Sequence, residues 1–166
     1  MFSLPENCKI VTLYGGATNG FSSATVGSDY VSCKNAHKVW IVGYTWGTTA
    51  TILDLFLYEA TAVAAATNRK VTATFPIWKA QATTSGDTLE QQTDAATLQI
   101  NPDAGAGVDA KVLFVLEWDP AKHTDGYDCI TCVGTTGNAA DYIVLLAFIQ
   151  ERYPSRVETH ATAITD

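Results

Sequence analysis

The sequence predicts a single all-β domain, a β-sandwich or jelly-roll-like fold of about nine strands. Two observations predict this fold class. Many segments alternate with a period of two or are dense in β-branched and aromatic residues, and short stretches rich in Gly, Asn, Asp, Ser and Thr separate them. The chain of 166 residues is also long enough to bury one sizeable core without disulfides or a structural metal.

The clearest strands are predicted where apolar residues occupy alternate positions. Residues 37–46 carry apolar side chains on both faces, which predicts a central strand. In residues 70–78, Pro76 indicates an edge strand or the end of a strand. The remaining predicted strands are residues 29–34, 51–59, 88–93, 96–100, 111–118 and 127–133.

Two further segments are less uniform in pattern. Residues 142–153 are apolar all round and suit either a buried helix or a central strand; we favour the strand because β-branched and aromatic residues are common there. Residues 60–66, rich in alanine, are the best candidate for a short helical turn. The predicted organisation is one domain, with an N-terminal arm or loop region (1–28), a sandwich core (29–153) and a C-terminal tail (154–166).

Charge and composition exclude several classes of partner. The net charge is −7, and the ten basic residues are scattered, which argues against a surface that follows nucleic-acid phosphates. No apolar run reaches the length of a membrane span, and the N-terminus lacks the pattern of a signal peptide. We therefore expect synthesis in a cytoplasm and no nucleic-acid or membrane partner.

The four cysteines are interpreted as free thiols, mostly buried, because they are too few and too unevenly spaced for a disulfide framework. Cys129 and Cys132 form the one close pair. On a strand, residues three apart point to opposite faces, so these two sulfurs are not expected to share a metal ion or a disulfide.

No local motif predicts catalysis or a cofactor. The chain has neither a phosphate-binding glycine loop nor a Gly-x-Ser-x-Gly elbow. His37, His123 and His160 are far apart in sequence, so no local histidine pair supplies a metal site or a base. The prediction is a protein that is not an enzyme and has no metal or cofactor; a triad assembled from distant residues is the alternative.

An acidic cluster, Glu117, Asp119, Asp125 and Asp128, offers oxygen atoms suited to calcium or to a pair of catalytic carboxylates. Its spacing fits no EF-hand loop. Asp-Pro followed by Asp-Gly is also typical of ordinary turns, and we favour turns over a metal or a catalytic pair.

Aromatic residues indicate candidate binding surfaces. Trp40, Trp46 and Trp118 alternate in register with aliphatic residues, which predicts burial, whereas Trp78 lies beside Pro76 and Lys79 and is expected to be exposed. Exposed aromatic rings suit either sugars or a protein interface. The candidate interface residues are Trp78, Phe21 and Tyr153.

Four stretches carry a resemblance to a known class of proteins. They read DYVSCKNAHKVWIV (29–42), EATAVA (59–64), DTL with QTD (87–94) and GYDCI (126–130). The chain resembles, over roughly residues 29 to 153, small virion structural proteins of tailed bacteriophages of the head decoration or cement type.

The resemblance implies a protein that binds the outer surface of the head shell, at junctions between copies of the major capsid protein, and stabilises the shell. It implies a homo-oligomer, with a trimer favoured. Attachment is expected through an edge strand or a terminal arm. The alternatives are a glycan- or host-surface-binding module of a head fibre or tail, and a low-copy head-completion or tail-joining protein.

Overall fold

The computed structural model describes residues 4–15, 26–27, 29–46, 53–65, 67–82, 88–100, 111–135 and 142–152. The described residues are almost entirely β, apart from one helical turn, α1 (Leu4–Asn7), and one 3-10 turn (Pro120–Lys122). The strands are β1 (Cys8–Gly15), β2 (Val26–Gly27), β3 (Val31–Ser32), β4 (Ala36–Trp46), β5 (Leu53–Ala60), β6 (Asn68–Lys70), β7 (Ile77–Ala82), β8 (Glu90–Gln91), β9 (Thr97–Ile100), β10 (Lys111–Trp118), β11 (Cys129–Thr135) and β12 (Tyr142–Glu151).

The strands form two antiparallel sheets that pack face to face, which confirms the predicted sandwich. The first sheet has the order β1-β12-β4-β10-β7-β8, and the second has the order β2-β11-β5-β6. Strand β3 also pairs with β11, and β9 also pairs with β5. Strand β4 is central in the first sheet, as its apolar residues on both faces predict.

Period-two patterning fills the core between the sheets. Leu55 and Leu57 of β5 and Phe114 and Leu116 of β10 are completely buried in one cluster that draws on both sheets. Alternate side chains along a strand point to opposite faces, so one apolar residue in two is enough to supply this core. Gly43 of β4 lies directly across from Phe114 and leaves the space that the aromatic ring occupies.

The segment that suited either a helix or a strand is strand β12, as favoured from its composition. It runs between β1 and β4. Ile143 and Leu145 point into the core, whereas Val144 and Leu146 point outward and are half-buried. The segment is apolar all round because both faces of the first sheet are apolar at this strand.

The predicted strand at residues 70–78 is wrong in its position. Strand β6 ends at Lys70 in the second sheet, and β7 begins at Ile77 in the first sheet. Between them the chain crosses from one sheet to the other, with one isolated bridge from Phe75 to Ala95. Proline has no N–H to give to a ladder, and Pro76 accordingly lies just before β7 rather than inside a strand.

The predicted helical turn at residues 60–66 is also wrong. Ala60 ends β5, and the following residues form a tight turn in which the Ala65 amide donates to the Ala62 carbonyl at 3.0 Å. Ala65 has a φ of 56°, in the left-handed region that closes turns. The alanine-rich composition therefore reflects a compact turn.

The first sheet begins earlier than the predicted core boundary at residue 29. Residues 8–15, assigned from sequence to an arm or loop region, form β1 and pair with β12 along their length. The very short strands β2, β3, β6 and β8 further raise the number of strands above the nine expected. The predicted tail, residues 154–166, lies outside the described residues.

Candidate functional surfaces

The structure places one of the three predicted interface residues. Trp78 lies on β7, paired with Val115, and is half-buried on the outward side of the first sheet. Phe21 and Tyr153 lie outside the described residues. Trp78 is therefore a surface residue. It is half-buried, and so are two tryptophans that were predicted to be buried.

Those two tryptophans, Trp40 and Trp46, correct the prediction. Both are half-buried on the outward side of β4, while Trp118 is fully buried as predicted. Alternation with aliphatic residues shows which side chains share a face. Alternation does not show which of two apolar faces of a strand meets the other sheet. In β4 the tryptophans lie on the face that points away from the second sheet.

The outward side of the first sheet is a broad apolar surface, which we call the apolar face. Cross-strand partners share a face, so the registers of β1, β12, β4, β10 and β7 define its members. They are Ile10, Trp40, Val42, Tyr44, Trp46, Trp78, Leu113, Val115, Tyr142, Val144, Leu146 and Phe148. Ile10 is 46% exposed and Leu113 is 36% exposed, and the others are half-buried.

One end of the apolar face carries an aromatic cluster. Trp46 and Tyr142 are stacked, with ring centroids 4.7 Å apart and planes within 7°. Tyr44 lies 5.6 Å from Trp46 in a tilted arrangement. These contacts hold the three rings in fixed positions at the surface.

The charges at the other end of the apolar face neutralise each other. Lys38 and Glu117 form an ion pair, and the Trp40 indole N–H donates to Glu117 Oε2 at 3.1 Å. The Lys38 ammonium also lies 5.8 Å from the Trp40 ring centroid. Because these two charges are paired with each other, the described residues of the face carry no net charge that would select a strongly charged partner.

A pocket opens on the apolar face beneath α1. Its volume is about 270 Å³, and it is lined by Leu4, Cys8, Trp40, Val42, Val115 and Phe148. All six are apolar side chains or a thiol. A pocket of this kind accepts an apolar group and has no means to orient a polar ligand.

The outward side of the second sheet has a different character. Gln99 donates to Asp54 at 2.9 Å, and the Lys70 ammonium lies 3.4 Å from the centroid of the Phe56 ring. Polar and charged groups thus accompany the aromatic rings there. The contrast distinguishes the apolar face as the more adhesive surface of the sandwich.

The strand edges that the structure describes are poor templates for pairing with another chain. The edges β2 and β8 are two residues long, the edge β9 has four residues, and β6 is a short, exposed strand of polar and charged residues. The one long edge, β1, has a register shift between Thr12 and Tyr14. Its Lys9 pairs with the core residue Ile149, so a lysine points inward at this edge. A bulge and an inward-pointing charge are common protections against edge pairing.

A polar network surrounds the buried carboxylate of Glu59 near the end of β5. Glu59 is 2% exposed, and its Oε1 accepts from Arg69 Nε at 2.7 Å. Its Oε2 accepts from the Thr124 amide at 3.0 Å and lies 3.1 Å from His123 Nδ1. Arg69 also donates to the Thr124 hydroxyl and lies 5.0 Å from the Tyr127 ring centroid. The network joins β5 and β6 to the loop after β10.

The hydrogen bonds of His123 fix its tautomer. The Trp118 indole N–H, which can only donate, lies 3.2 Å from His123 Nε2, so that nitrogen accepts and carries no proton. The proton is on Nδ1 and is donated to Glu59. A carboxylate and a histidine have thus converged from distant positions, as a catalytic dyad requires, but the Nε2 lone pair that would act as a base is bound to the indole.

The network keeps Glu59 ionised and His123 neutral at neutral pH. Burial raises the pKa of Glu59, but the hydrogen bonds from Thr124, Arg69 and His123 outweigh it and lower this pKa to about 2. Burial lowers the pKa of His123, against the opposing effect of Glu59 and Asp128. A protonated His123 would also direct a second N–H at the indole N–H of Trp118.

We expect the free energy of unfolding to fall in mild acid because of His123. Its pKa is lower in the folded state, so the unfolded chain takes up the proton first, and stability falls as pH drops below about 6.5. Urea unfolding between about pH 7.5 and about pH 5.5 measures this loss. His123→Gln should reduce the pH dependence more than the matched change His37→Gln, at an exposed histidine of β4. Equal slopes in all three proteins would contradict the assignment.

Asp119 and Asp125 of the acidic cluster lie at turns, as favoured from the sequence, whereas Glu117 lies on β10. Asp119 caps the 3-10 turn by accepting from the Ala121 amide at 2.9 Å, and Gly126 has a φ of 83° in the next turn. Glu117 pairs with Lys38 and Asp128 with Lys34. Within the described ranges, no three acidic, histidine or cysteine side chains are grouped so that they could hold a metal ion.

The four cysteines are buried thiols that form no disulfide, as predicted. Cys132 belongs to the main core, whereas Cys129 packs with Tyr30 and Ala60 in a smaller cluster, so the two point to opposite faces of β11 as expected. Burial raises the pKa of Cys132 to about 12. This thiol is therefore protonated at neutral pH and a weak nucleophile.

Comparisons with other proteins found no relative of this chain. Protein-family models, curated proteins and solved structures all gave no match to this chain. No helix in the described part of the chain has the length and apolar character needed to cross a bilayer. The resemblance to phage virion proteins therefore stays a prediction from the sequence.

Proposed function

We propose that this chain is a structural protein of a phage virion that binds the outer surface of the head shell and stabilises it. The observation that carries the proposal is the apolar face, a broad surface, on the outward side of a six-stranded sheet, whose described residues carry no net charge. Contiguous apolar surface of this extent is uncommon on proteins that act alone and is typical of assembly interfaces. The major capsid protein and further copies of this chain are the proposed partners.

The structure changes the proposed mode of attachment. The resemblance implies that an edge strand or a terminal arm pairs with the shell. The described edges are short, polar, bulged or occupied by an inward-pointing lysine, which disfavours edge pairing. Face-to-face packing through the apolar face suits the arrangement better, because burial of apolar area needs no free backbone groups.

A glycan-binding function is the second candidate, and one observation favours it. Tyr44, Trp46 and Tyr142 hold three aromatic rings together at the surface. Stacked Trp46 and Tyr142 turn faces toward each other, which leaves less ring face for a sugar. Loss of glycan binding in Trp46→Ala, in a protein that retains its fold, would support this candidate.

Quantitative mass spectrometry of purified particles tests the proposal. We expect a copy number of the same order as that of the major capsid protein. A ratio many-fold lower would indicate a head-completion, tail-joining or fibre protein instead. Absence of the chain from the particle would overturn a virion function altogether.

Leu113→Glu tests whether the apolar face is the adhesive surface. The variant places a charge at a position that is 36% exposed, so the fold should persist while binding to particles that lack the protein is lost. Thr72→Glu makes the same change of charge at an exposed position between β6 and β7 and should bind like the wild type. Equal binding of the two variants would remove the apolar face from the mechanism.

A further inference from the structure

We infer that the apolar face pairs with the same face of a second copy of this chain across a twofold axis. The inference rests on the proposed function only in taking this face as an assembly surface. In the free protein the occupant of the face is another copy, in an isologous sheet-on-sheet interface, and the shell takes the place of that copy on binding.

The charge on the face permits self-association. A chain of net charge −7 repels its own copies at a distance, so a locally neutral surface is where two copies meet with least repulsion. The Lys38 and Glu117 charges are paired within each face. Two copies of the face therefore meet without placing like, unpaired charges opposite each other.

The area of the face matches the needs of a stable pair. Five adjacent strands of about eight residues cover roughly 600 Å² in projection, from a strand spacing of about 4.8 Å and a rise of about 3.4 Å. Side-chain relief adds to that figure. A standard interface buries about 800 Å² of each partner, so the face alone is of the right size.

The face also contains both a projection and a recess. Leu113 projects from β10 and is 36% exposed, and Val115, two residues along the same side of that strand, lines the apolar pocket. The two residues are about 7 Å apart along the strand. A twofold axis that lies in the plane of the interface and crosses β10 between these two residues places Leu113 of each copy against the pocket of the other.

The mass of the purified chain, measured by light scattering during gel filtration at roughly 100 μM, tests the inference without any phage particle. We expect a dimer for the wild type and a monomer for Leu113→Glu, with self-association weakened more than about 100-fold. Thr72→Glu is the control and should stay dimeric. Circular dichroism and thermal unfolding establish that both variants are folded.

Mixing variants of opposite charge gives a second, independent measurement. In a twofold pair, the two copies of residue 113 lie close together across the axis, so Leu113→Glu mixed with Leu113→Lys should form dimers that neither forms alone. A monomeric or trimeric wild type overturns the inference, as does a dimer that persists in Leu113→Glu. A dimeric chain that is absent from particles would instead contradict the proposed function and leave the pairing intact.

Discussion

Replacing Gly43 with alanine is expected to destabilise the protein by about 3 kcal/mol, a large part of the stability of a typical domain. A β-carbon at Gly43 would lie 2.6 Å from both Cε atoms of Phe114 and closer still to its Cζ. Phe114 is fully buried in the core between the sheets, so its ring has no open space to enter. The backbone of β4 or the ring would have to shift, at the centre of the first sheet.

Urea unfolding measures this loss of stability. Two further variants test whether the overlap with Phe114 causes it. Gly15→Ala is the matched control, because a β-carbon there meets no atom within 4 Å and the residue is exposed at the end of β1. Phe114→Leu removes the ring that causes the overlap. In the double variant Gly43→Ala with Phe114→Leu, we expect the loss to be smaller than the sum of the two single losses. Simple additivity would show that the two positions are not in conflict.

The same two residues show how far the sequence predicts the fold. Alternation in residues 37–46 and 111–118 predicted two strands, and both are present in the first sheet. Alternation carries no information about which strands are neighbours. The pairing of Gly43 with Phe114 depends on the order of strands in the sheet, so this contact could be found only in the structure.

The pattern that predicts the strands does not predict the apolar face. In residues 37–46 both sets of alternate side chains are apolar, and the sequence cannot say which set meets the second sheet. Alternation with aliphatic residues predicted burial of Trp40 and Trp46, yet the core side is formed by Val39 and Ile41. Half-buried aromatic residues on an outer face are a property of tertiary packing.

The sequence position of Glu59 carries a signal of the network around it. Leu53, Leu55 and Leu57 alternate on the core side of β5, and Glu59 continues the same register. A charged residue at a core position requires partners, since a buried charge without them is costly. The sequence therefore predicts that Glu59 has partners. Their identity, from β6 and from the loop after β10, depends on the topology.

Glu59→Gln is expected to lower the free energy of unfolding by about 3 kcal/mol at neutral pH. Glutamine has nearly the same volume, so packing is kept, but one of its two terminal groups is an N–H donor. Both oxygens of Glu59 accept hydrogen bonds, from Arg69 on one side and from His123 and Thr124 on the other. The amide group would therefore face a donor in either orientation, and Arg69 would lose its ionic partner.

The pH dependence of that loss separates this electrostatic role from a change in packing. The pKa of Glu59 falls from 4.5 to about 2 on folding, so its contribution to stability is complete above pH 4.5 and is lost as pH falls from there toward about 2. The difference between wild type and Glu59→Gln should therefore narrow below pH 4.5. Glu90→Gln, at an exposed glutamate of β8, should change stability by less than about 0.5 kcal/mol at every pH. A wild-type advantage that stays constant through this acid range would show that the carboxylate charge is not what the network stabilises.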